Sequence, residues 1–524
     1  MKQAISGIIA KILSKFKRGE EETILAADFF KMIEQSELKK LRAIIRECIS
    51  YEKSQIENKD HGDLPVLLSH IKIQGISQQV HDLLLNVDIV KSFMYRSITN
   101  NKFSHPLPIR WQKCFSRHGI EVNQKSSYLK FQIYNVKKLF KNYYNVVILI
   151  ISRPNKNLSI GPNSTLIDLQ TKDPDLHLTS IDEYNFISWI RRSDLFRFRI
   201  TNGITEISKK DLIKFSLFKT LCSVAKLSKA SPIKFTKTLF QTPNLIFEYI
   251  NLNVSDLQKV SLLIIPSSQG WIKSTWHLRF EELNTEVVYV NLSDSSEPSE
   301  TFDAEFPVNW YALSQWQTIL VCSKNQKHIF EATNLKAHDV SVFVSGVPDW
   351  QDTKNTSIVE DIAYFSVFDF EPHKNYYGFS CNNDSGYSNI DNILKFIEDI
   401  SDISKELEFY CVYKSKRKIP ISKRFIEYTE ALEYYSKNNK YFRLVDESIA
   451  PRRLIRTAKA CVQMPFSSTG LIAAELNIPN CFYDPVGLIN LDDSGANGIK
   501  IVNNSKTLSD WLRGQIHIKT NGIV

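Results

Sequence analysis

The sequence lacks the features that mark several large protein classes. None of its eight cysteines, at positions 48, 114, 222, 322, 381, 411, 461 and 481, is spaced C-x-x-C from another. That spacing argues against a zinc module or a disulfide framework, and most of these cysteines sit in apolar surroundings that read as core. Reducing, cytoplasmic conditions fit such usage. Long hydrophobic runs are missing too. The most apolar stretch, Val146 to Ile151, is far too short to span a bilayer and reads as a core strand. No secretory signal stands out, because Lys11 interrupts the one candidate apolar region. Neither G-x-G-x-x-G nor G-x-x-x-x-G-K-[ST] occurs, which lowers NAD-dependent and P-loop chemistry. No D-x-D pair stands in a metal-diphosphate setting, so a ligand held by protein groups without an obligatory metal fits better. No aromatic-basic module for nucleic acid is present.

What is present is ample core. The 524 residues are 43% hydrophobic and include 31 Phe and 21 Tyr, enough for two or three domains and too much for extensive disorder. The net charge of +9 suits an acidic partner: a nucleotide, an anionic glycan, an anionic membrane surface or a nucleic acid. Charge alone does not choose among them.

Residues 1–18 carry Ile5, Ile8, Ile9, Ile12, Leu13 and Phe16 at helical spacing among five basic residues. Such a helix suits an anionic inner-membrane surface, which would make the protein peripheral there; the alternative is that its apolar face packs on the rest of the chain. Thr23 to Ser50 continues as a helix, Glu52 to Asp63 reads as a polar loop, and Leu64 to His70 and Ile76 to Tyr95 read as further helices, making residues 1–100 a helical region. A short helix is expected over Trp111 to His118, with Gly119 stopping it. Tyr184 to Ile190 and the lysine-rich Ser208 to Ala230 also read as helical.

From residue 258 the pattern becomes strand-helix-strand. Strands are expected at Val260 to Ile265, Glu286 to Asn291, Thr318 to Cys322 and Val340 to Val344, with helices at Trp271 to Leu283, Trp310 to Trp316 and Asn325 to Thr333. Beyond a polar linker near residue 355, strands at Ala363 to Phe368, Leu407 to Tyr413, Tyr441 to Val445, Ala460 to Met464 and Cys481 to Tyr483 alternate with helices. This order predicts an α/β class with parallel sheets. It suggests two facing Rossmann-like domains, 101–354 and 355–524, behind the helical region, with a ligand crevice at the C-terminal ends of the strands.

The candidate site is assembled from strand ends. Ser467, Ser468 and Thr469 place three hydroxyls where a helix begins after a buried strand, which suits a phosphate; an ordinary helix cap is the bland alternative. Glu371 and His373 follow another strand, where His373 would donate to a phosphate or leaving group and Glu371 would orient it or bind a sugar hydroxyl. Arg452 and Arg453, one helix earlier, offer bidentate phosphate contacts, and Glu475 is a candidate for a ribose. Asp349 is a candidate base or nucleophile.

Pro465-Phe466-Ser467-Ser468, W-H-L-R-F-E (Trp276 to Glu281), G-V-P-D-W (Gly346 to Trp350) and F-D-F-E-P-H (Phe368 to His373) resemble the bacterial polysaccharide-biosynthesis proteins named for a P-F-T-S motif, with Ser467 at the usual Thr position. The resemblance covers roughly residues 250–490. It implies a surface-carbohydrate glycosyltransferase of the GT-B type, and more loosely a likeness to Kdo and sialic-acid transferases. From it follow a nucleotide-sugar donor (a CMP-linked acidic sugar preferred, a UDP- or GDP-sugar as alternatives) and a capsule, O-antigen or lipid-linked oligosaccharide acceptor. A polyol-phosphate transferase of teichoic-acid type, a nucleotide-sugar epimerase and a non-catalytic glycan-binding subunit stay open.

Overall fold

A computed structural model of the protein describes residues 35–57, 66–84, 87–151, 164–169, 176–178, 188–190, 197–200, 205–208, 260–266, 273, 275–292, 314–333, 340–347, 349–350, 362–370, 390–416, 426–446 and 449–518. The chain divides into two compact units: 43–294 with 304–353, and 354–524 with the short segments 1–42 and 295–303.

Helices come first: α1 (Gln35–Glu57), α2 (Val66–Leu83), α3 (Val87–Thr99), α4 (Ile109–Arg117) and α5 (Gln124–Ile151). On α1, Leu41, Ile44, Ile45 and Cys48 recur at helical spacing and are fully buried. The helix runs on through Glu52, which the sequence placed in a polar loop. Glu52 is buried because it has partners: its carboxylate accepts from Trp111 Nε1 at 2.7 Å and pairs with Arg110 Nε at 2.5 Å. Gly119 ends the α4 segment as expected, at a φ of +72° that favours glycine. The strand expected at Val146 to Ile151 is the last turns of α5 instead. A short β-branched run has no period of its own to separate strand from buried helix, and here a helix already under way carries through it.

The first unit also contains a seven-stranded sheet of order β5-β4-β1-β6-β7-β8-β9. Its members are β1 (Ser164–Leu169), β4 (Arg197–Ile200), β5 (Thr205–Ser208), β6 (Val260–Pro266), β7 (Glu286–Val290), β8 (Thr318–Val321) and β9 (Ser341–Val344). Strands β1 and β6 to β9 are parallel, while β4 and β5 form an antiparallel edge. Helices α6 (Thr275–Glu282) and α7 (Lys324–Thr333) connect the parallel strands. A small separate sheet, β10-β2-β3, joins β2 (Leu176–Leu178), β3 (Ser188–Ile190) and β10 (Asp349–Trp350). Residues 188–190 therefore extend as a strand, not the helix expected there, because Ser188 to Ile190 pairs antiparallel with β2. Trp316 lies outside any helix, buried between His277 and Tyr289 at centroid distances of 5.1 and 5.2 Å.

The second unit is a six-stranded, wholly parallel sheet: β11 (Tyr364–Phe368), β12 (Tyr410–Lys414), β13 (Phe442–Leu444), β14 (Ala460–Gln463), β15 (Asn480–Tyr483) and β16 (Lys500–Val502). Helices α8 (Ile390–Glu406), α9 (Ile426–Asn438), α10 (Pro451–Thr457), α11 (Ser468–Glu475) and α12 (Ser505–Ile518) link and follow the strands. Alternate residues face opposite cores, as strand geometry requires. Cys481, Tyr483 and Val502 enter the cluster with α8, α9 and α12, while Phe482 and Ile501 enter a second cluster beneath α11. With helices on both faces, the inner strands β11, β12, β14 and β15 are buried almost throughout.

Candidate functional site

The strand order of the second sheet is β13-β12-β11-β14-β15-β16. Counted from β11 as the first strand, this is 3-2-1-4-5-6, and the winding reverses between β11 and β14. In open parallel sheets the crevice for a ligand opens at that reversal, outside the C-terminal ends of the strands. Two of the segments singled out in the sequence leave the sheet there. Ser467 to Thr469 follow β14. Glu371 and His373 follow β11; they lie outside the described residues.

The turn after β14 is built by three residues. Pro465 supplies no N–H to continue the ladder. Phe466 takes a φ of +62°, a left-handed conformation that costs a non-glycine residue on the order of 1–2 kcal/mol. Its ring is buried, packs on Phe482 at 5.7 Å and sits in the cluster with Ile489, Ala496, Ile499 and Ile501, which offsets that cost. The reversal turns the chain so that α11 starts at once. Ser467 stands at its N-cap but gives no side-chain cap bond; its Oγ lies 2.8 Å from Thr469 Oγ1. The first-turn amides of any helix lack intrahelical acceptors and carry the positive end of its dipole. Here they are accompanied by the hydroxyls of Ser467, Ser468 and Thr469, a set of donors suited to a phosphate.

Gly470 holds this helix close to the sheet. A Cβ there would sit 2.8 Å from Phe482 Cε1, 2.9 Å from Gln463 Nε2 and 3.0 Å from Ile499 Cδ1. Alanine is the better helix former by ~1 kcal/mol, yet Gly470→Ala is expected to destabilise by about 1–3 kcal/mol through overpacking. A thermal melt checks it. A rise in Tm would mean that α11 has room to move outward.

Beside the reversal lies a buried carboxylate that the sequence reading passed over. Asp369 directly follows β11 and is 2% exposed. Its Oδ2 accepts hydrogen bonds from Tyr413 Oη at 2.8 Å and from Tyr428 Oη, and its Oδ1 accepts from the Lys416 backbone N–H at 3.0 Å. Burial raises the carboxyl from its ordinary 3.8 to about 6, against the opposing pull of the Tyr428, Tyr413 and Lys416 hydrogen bonds and the Lys414 charge. Lys416 Nζ lies 5.0 Å from the Phe370 ring centroid. Asp369 thus ties the basic turn after β12 to the end of β11. The signal available in the sequence was an aspartate at the end of a strand that is apolar except for Ser366.

The family model described as "Polysaccharide biosynthesis PFTS motif protein" matches residues 228–512, more than half of the chain. The chain belongs to this family. The Pro465-Phe466-Ser467-Ser468 segment, which resembles the motif in that description, forms the β14–α11 turn at the winding reversal. By sequence, no curated protein matches the chain. Among solved structures, it is similar to the UDP-GlcNAc 2-epimerase from Methanocaldococcus jannaschii at 14% identity, covering 53% of this chain and 76% of that one with a TM-score of 0.31. An α,α-trehalose-phosphate synthase (UDP-forming) from Burkholderia vietnamiensis matches at 6% identity, over 58% of this chain and 80% of that one, with a TM-score of 0.30. The calicheamicin glycosyltransferase CalG4 matches at 7% identity, over 58% and 74%, with a TM-score of 0.28.

Within this PFTS-motif protein, two of the other candidates, Arg452 and Glu475, engage each other. Arg452 Nη2 pairs with Glu475 Oε2 at 2.7 Å. Glu475 is the last residue of α11 and Ser468 the first, so about 10 Å of helix separates that pair from the hydroxyls. Arg453 lies on the same short helix, α10, whose Leu454 carbonyl accepts from Tyr364 Oη at 2.9 Å, at the start of β11 and not its end. Asp349 belongs to the two-residue strand β10, opposite His177, in the other unit. Asp484, at the end of β15, serves its own turn: its carboxylate accepts from the Val486 and Ile489 amides at 3.2 and 2.7 Å.

Proposed function

We propose that this PFTS-motif protein is a glycosyltransferase of surface-polysaccharide synthesis that binds a nucleotide-activated sugar at the C-terminal edge of its second sheet. The observation that carries the reading is the hydroxyl-bearing N-terminus of α11 at the reversal between β11 and β14. A departing nucleotide phosphate gains negative charge as the glycosidic bond breaks. Helix amides and the hydroxyls of Ser467, Ser468 and Thr469 would stabilise that charge without reorganising. His373 and Glu371, five and three residues past the end of β11, are the proposed proton donor and its orienting carboxylate. Family membership supports polysaccharide synthesis as the process. A CMP-linked acidic sugar is the preferred donor, with UDP- and GDP-sugars as the alternatives, and a capsule or O-antigen glycan, free or lipid-linked, is the acceptor class. No metal is assigned a role in this reading.

The experiment is thermal stability against CMP, UDP, GDP and their sugar conjugates, with and without magnesium, on wild type and a Ser467→Ala/Ser468→Ala variant. A ligand at about a hundred times its Kd stabilises the folded state by about 2.7 kcal/mol. Losing two hydroxyl contacts is expected to weaken binding roughly tenfold or more. A selective rise with CMP compounds that the variant loses supports the proposal in full. A rise with UDP or GDP compounds moves the donor. No rise with any nucleotide overturns the transferase reading, and a rise the variant keeps overturns the site.

A further inference from the structure

Helix α5 carries an apolar stripe with nothing from the described residues on it. Leu129, Ile133, Val136 and Phe140 follow one another at spacings of four, three and four, and are between 48% and 72% exposed. At 100° per residue these four fall within about 60° of one helix face. The opposite side is the one that packs. Ser127 and Asn135 are buried there, Tyr134 Oη donates to Asp82 Oδ2 at 2.5 Å, and Lys138 Nζ reaches the same oxygen at 3.5 Å. Polar contacts thus hold α5 to α2, and the four stripe residues point away. A surface helix ordinarily shows the reverse.

The charge around the stripe selects the occupant. In its 28 residues α5 has five lysines and neither an aspartate nor a glutamate. Exposed Lys125 and Lys137 lie one on each side of the stripe. A second copy of the same helix would bring lysine against lysine, since charges flanking an apolar seam meet across it. An anionic bilayer offers the opposite charge to the lysines and an apolar interior to the stripe. Among the described residues no helix is long and apolar enough to cross a membrane, so the contact is along the surface.

We infer that the α5 face formed by Leu129, Ile133, Val136 and Phe140, with Lys125 and Lys137, docks the protein on the surface of a bilayer containing anionic lipid. The helix lies along the headgroup boundary, its four apolar side chains below the phosphates and its lysines among them. This inference stands whatever the donor nucleotide is.

The test is flotation of the full chain with vesicles of phosphatidylcholine alone and of phosphatidylcholine mixed with phosphatidylglycerol. Wild type is expected on the mixed vesicles, in a bound fraction that falls as salt is raised. Val136→Gln/Phe140→Gln is expected to weaken that binding about tenfold or more. Lys125→Glu/Lys137→Glu is expected to weaken it on mixed vesicles while leaving the residual binding to phosphatidylcholine unchanged. All six side chains named are on the surface, so circular dichroism and Tm should match wild type. Binding that both variants retain in full would place the membrane contact elsewhere, residues 1–18 included, and overturn the inference. No binding by wild type would also overturn it. So would a wild-type dimer in light scattering that Val136→Gln/Phe140→Gln converts to monomer without any lipid binding, which would assign the stripe to a second copy.

Discussion

Phe466→Ala is expected to lower the stability of the second unit by about 3–5 kcal/mol, the range for emptying a buried phenylalanine site. The ring is 2% exposed and its cavity would be walled by Phe482, Ile489, Ala496, Ile499 and Ile501. Alanine at φ +62° would retain the left-handed strain while losing the burial that offsets it. Glycine makes the discriminating comparison. It empties the same cavity but accepts the conformation, so Phe466→Gly should be more stable than Phe466→Ala by ~1 kcal/mol, the reverse of the ordinary ranking of these two residues. Hydrogen exchange of peptides from β14 to β16 in the full chain reads both effects. Equal protection in wild type and Phe466→Ala would show that the ring does not hold the turn. Greater protection with alanine than with glycine would show that the strain is not the controlling term. Because the turn aims the start of α11, a wild-type-like nucleotide response in Phe466→Ala is not expected even where the fold survives.

The second sheet was largely legible in the sequence, and physics explains why. Parallel strands covered on both faces read as uninterrupted apolar runs. Tyr364 to Phe368 is close to such a run, broken only by Ser366 and buried throughout. Boundaries were less secure. The strand expected from Leu407 begins only at Tyr410, because α8 carries its buried face on through Ile403 and Glu408, at φ +47°, makes the left-handed exit before β12. Strand β16 was missed because three residues starting at Lys500 present too little pattern. In the first sheet the four-residue strands β4 and β5 went unread for the same reason of length, and β4 pairs with a strand well before it in the chain, Leu166 opposite Ile200. In α5 the opposite error arose, where β-branched composition at Val146 to Ile151 suggested a strand inside a helix.

Of the site, the serine turn was legible because its chemistry is local: a strand, a proline, then hydroxyls at a helix start. Arg452 and Glu475 show what local reading misses. Each is a plausible phosphate or ribose ligand by residue type, and 23 positions separate them, yet the fold sets them against each other at the far end of α11. Asp369 shows the converse. Nothing near it in sequence reveals Tyr413 and Tyr428, which converge on it from β12 and α9. Three donors around one buried carboxylate are a tertiary product.

That carboxylate yields the second large prediction, in the dependence of stability on pH. The native Asp369 pKa of about 6 exceeds the ordinary 3.8. The folded protein therefore holds the proton more tightly than the unfolded chain does. A group with a raised folded pKa contributes stability that is fully present below the unfolded value and is lost as pH rises through the folded one. For Asp369 the window runs from about 3.8 to about 6, and the difference corresponds to about 3 kcal/mol. Asparagine cannot titrate, so Asp369→Asn should remove this contribution while leaving every other titrating group in place. The stability of wild type minus that of Asp369→Asn is expected to fall by about 2.4 kcal/mol between pH 4 and pH 7. Denaturant unfolding of both proteins across that range measures it; any fixed penalty from turning an amide toward two phenols cancels in the slope. A difference independent of pH would mean that Asp369 does not titrate in this window. The carboxylate also holds the Lys416 backbone N–H, and with it the turn after β12 beside the winding reversal. An amide oxygen keeps that bond, so Asp369→Asn should leave the turn in place while gaining relative stability at neutral pH, whereas Asp369→Ala should free the turn and weaken stabilisation by the nucleotide that wild type selects.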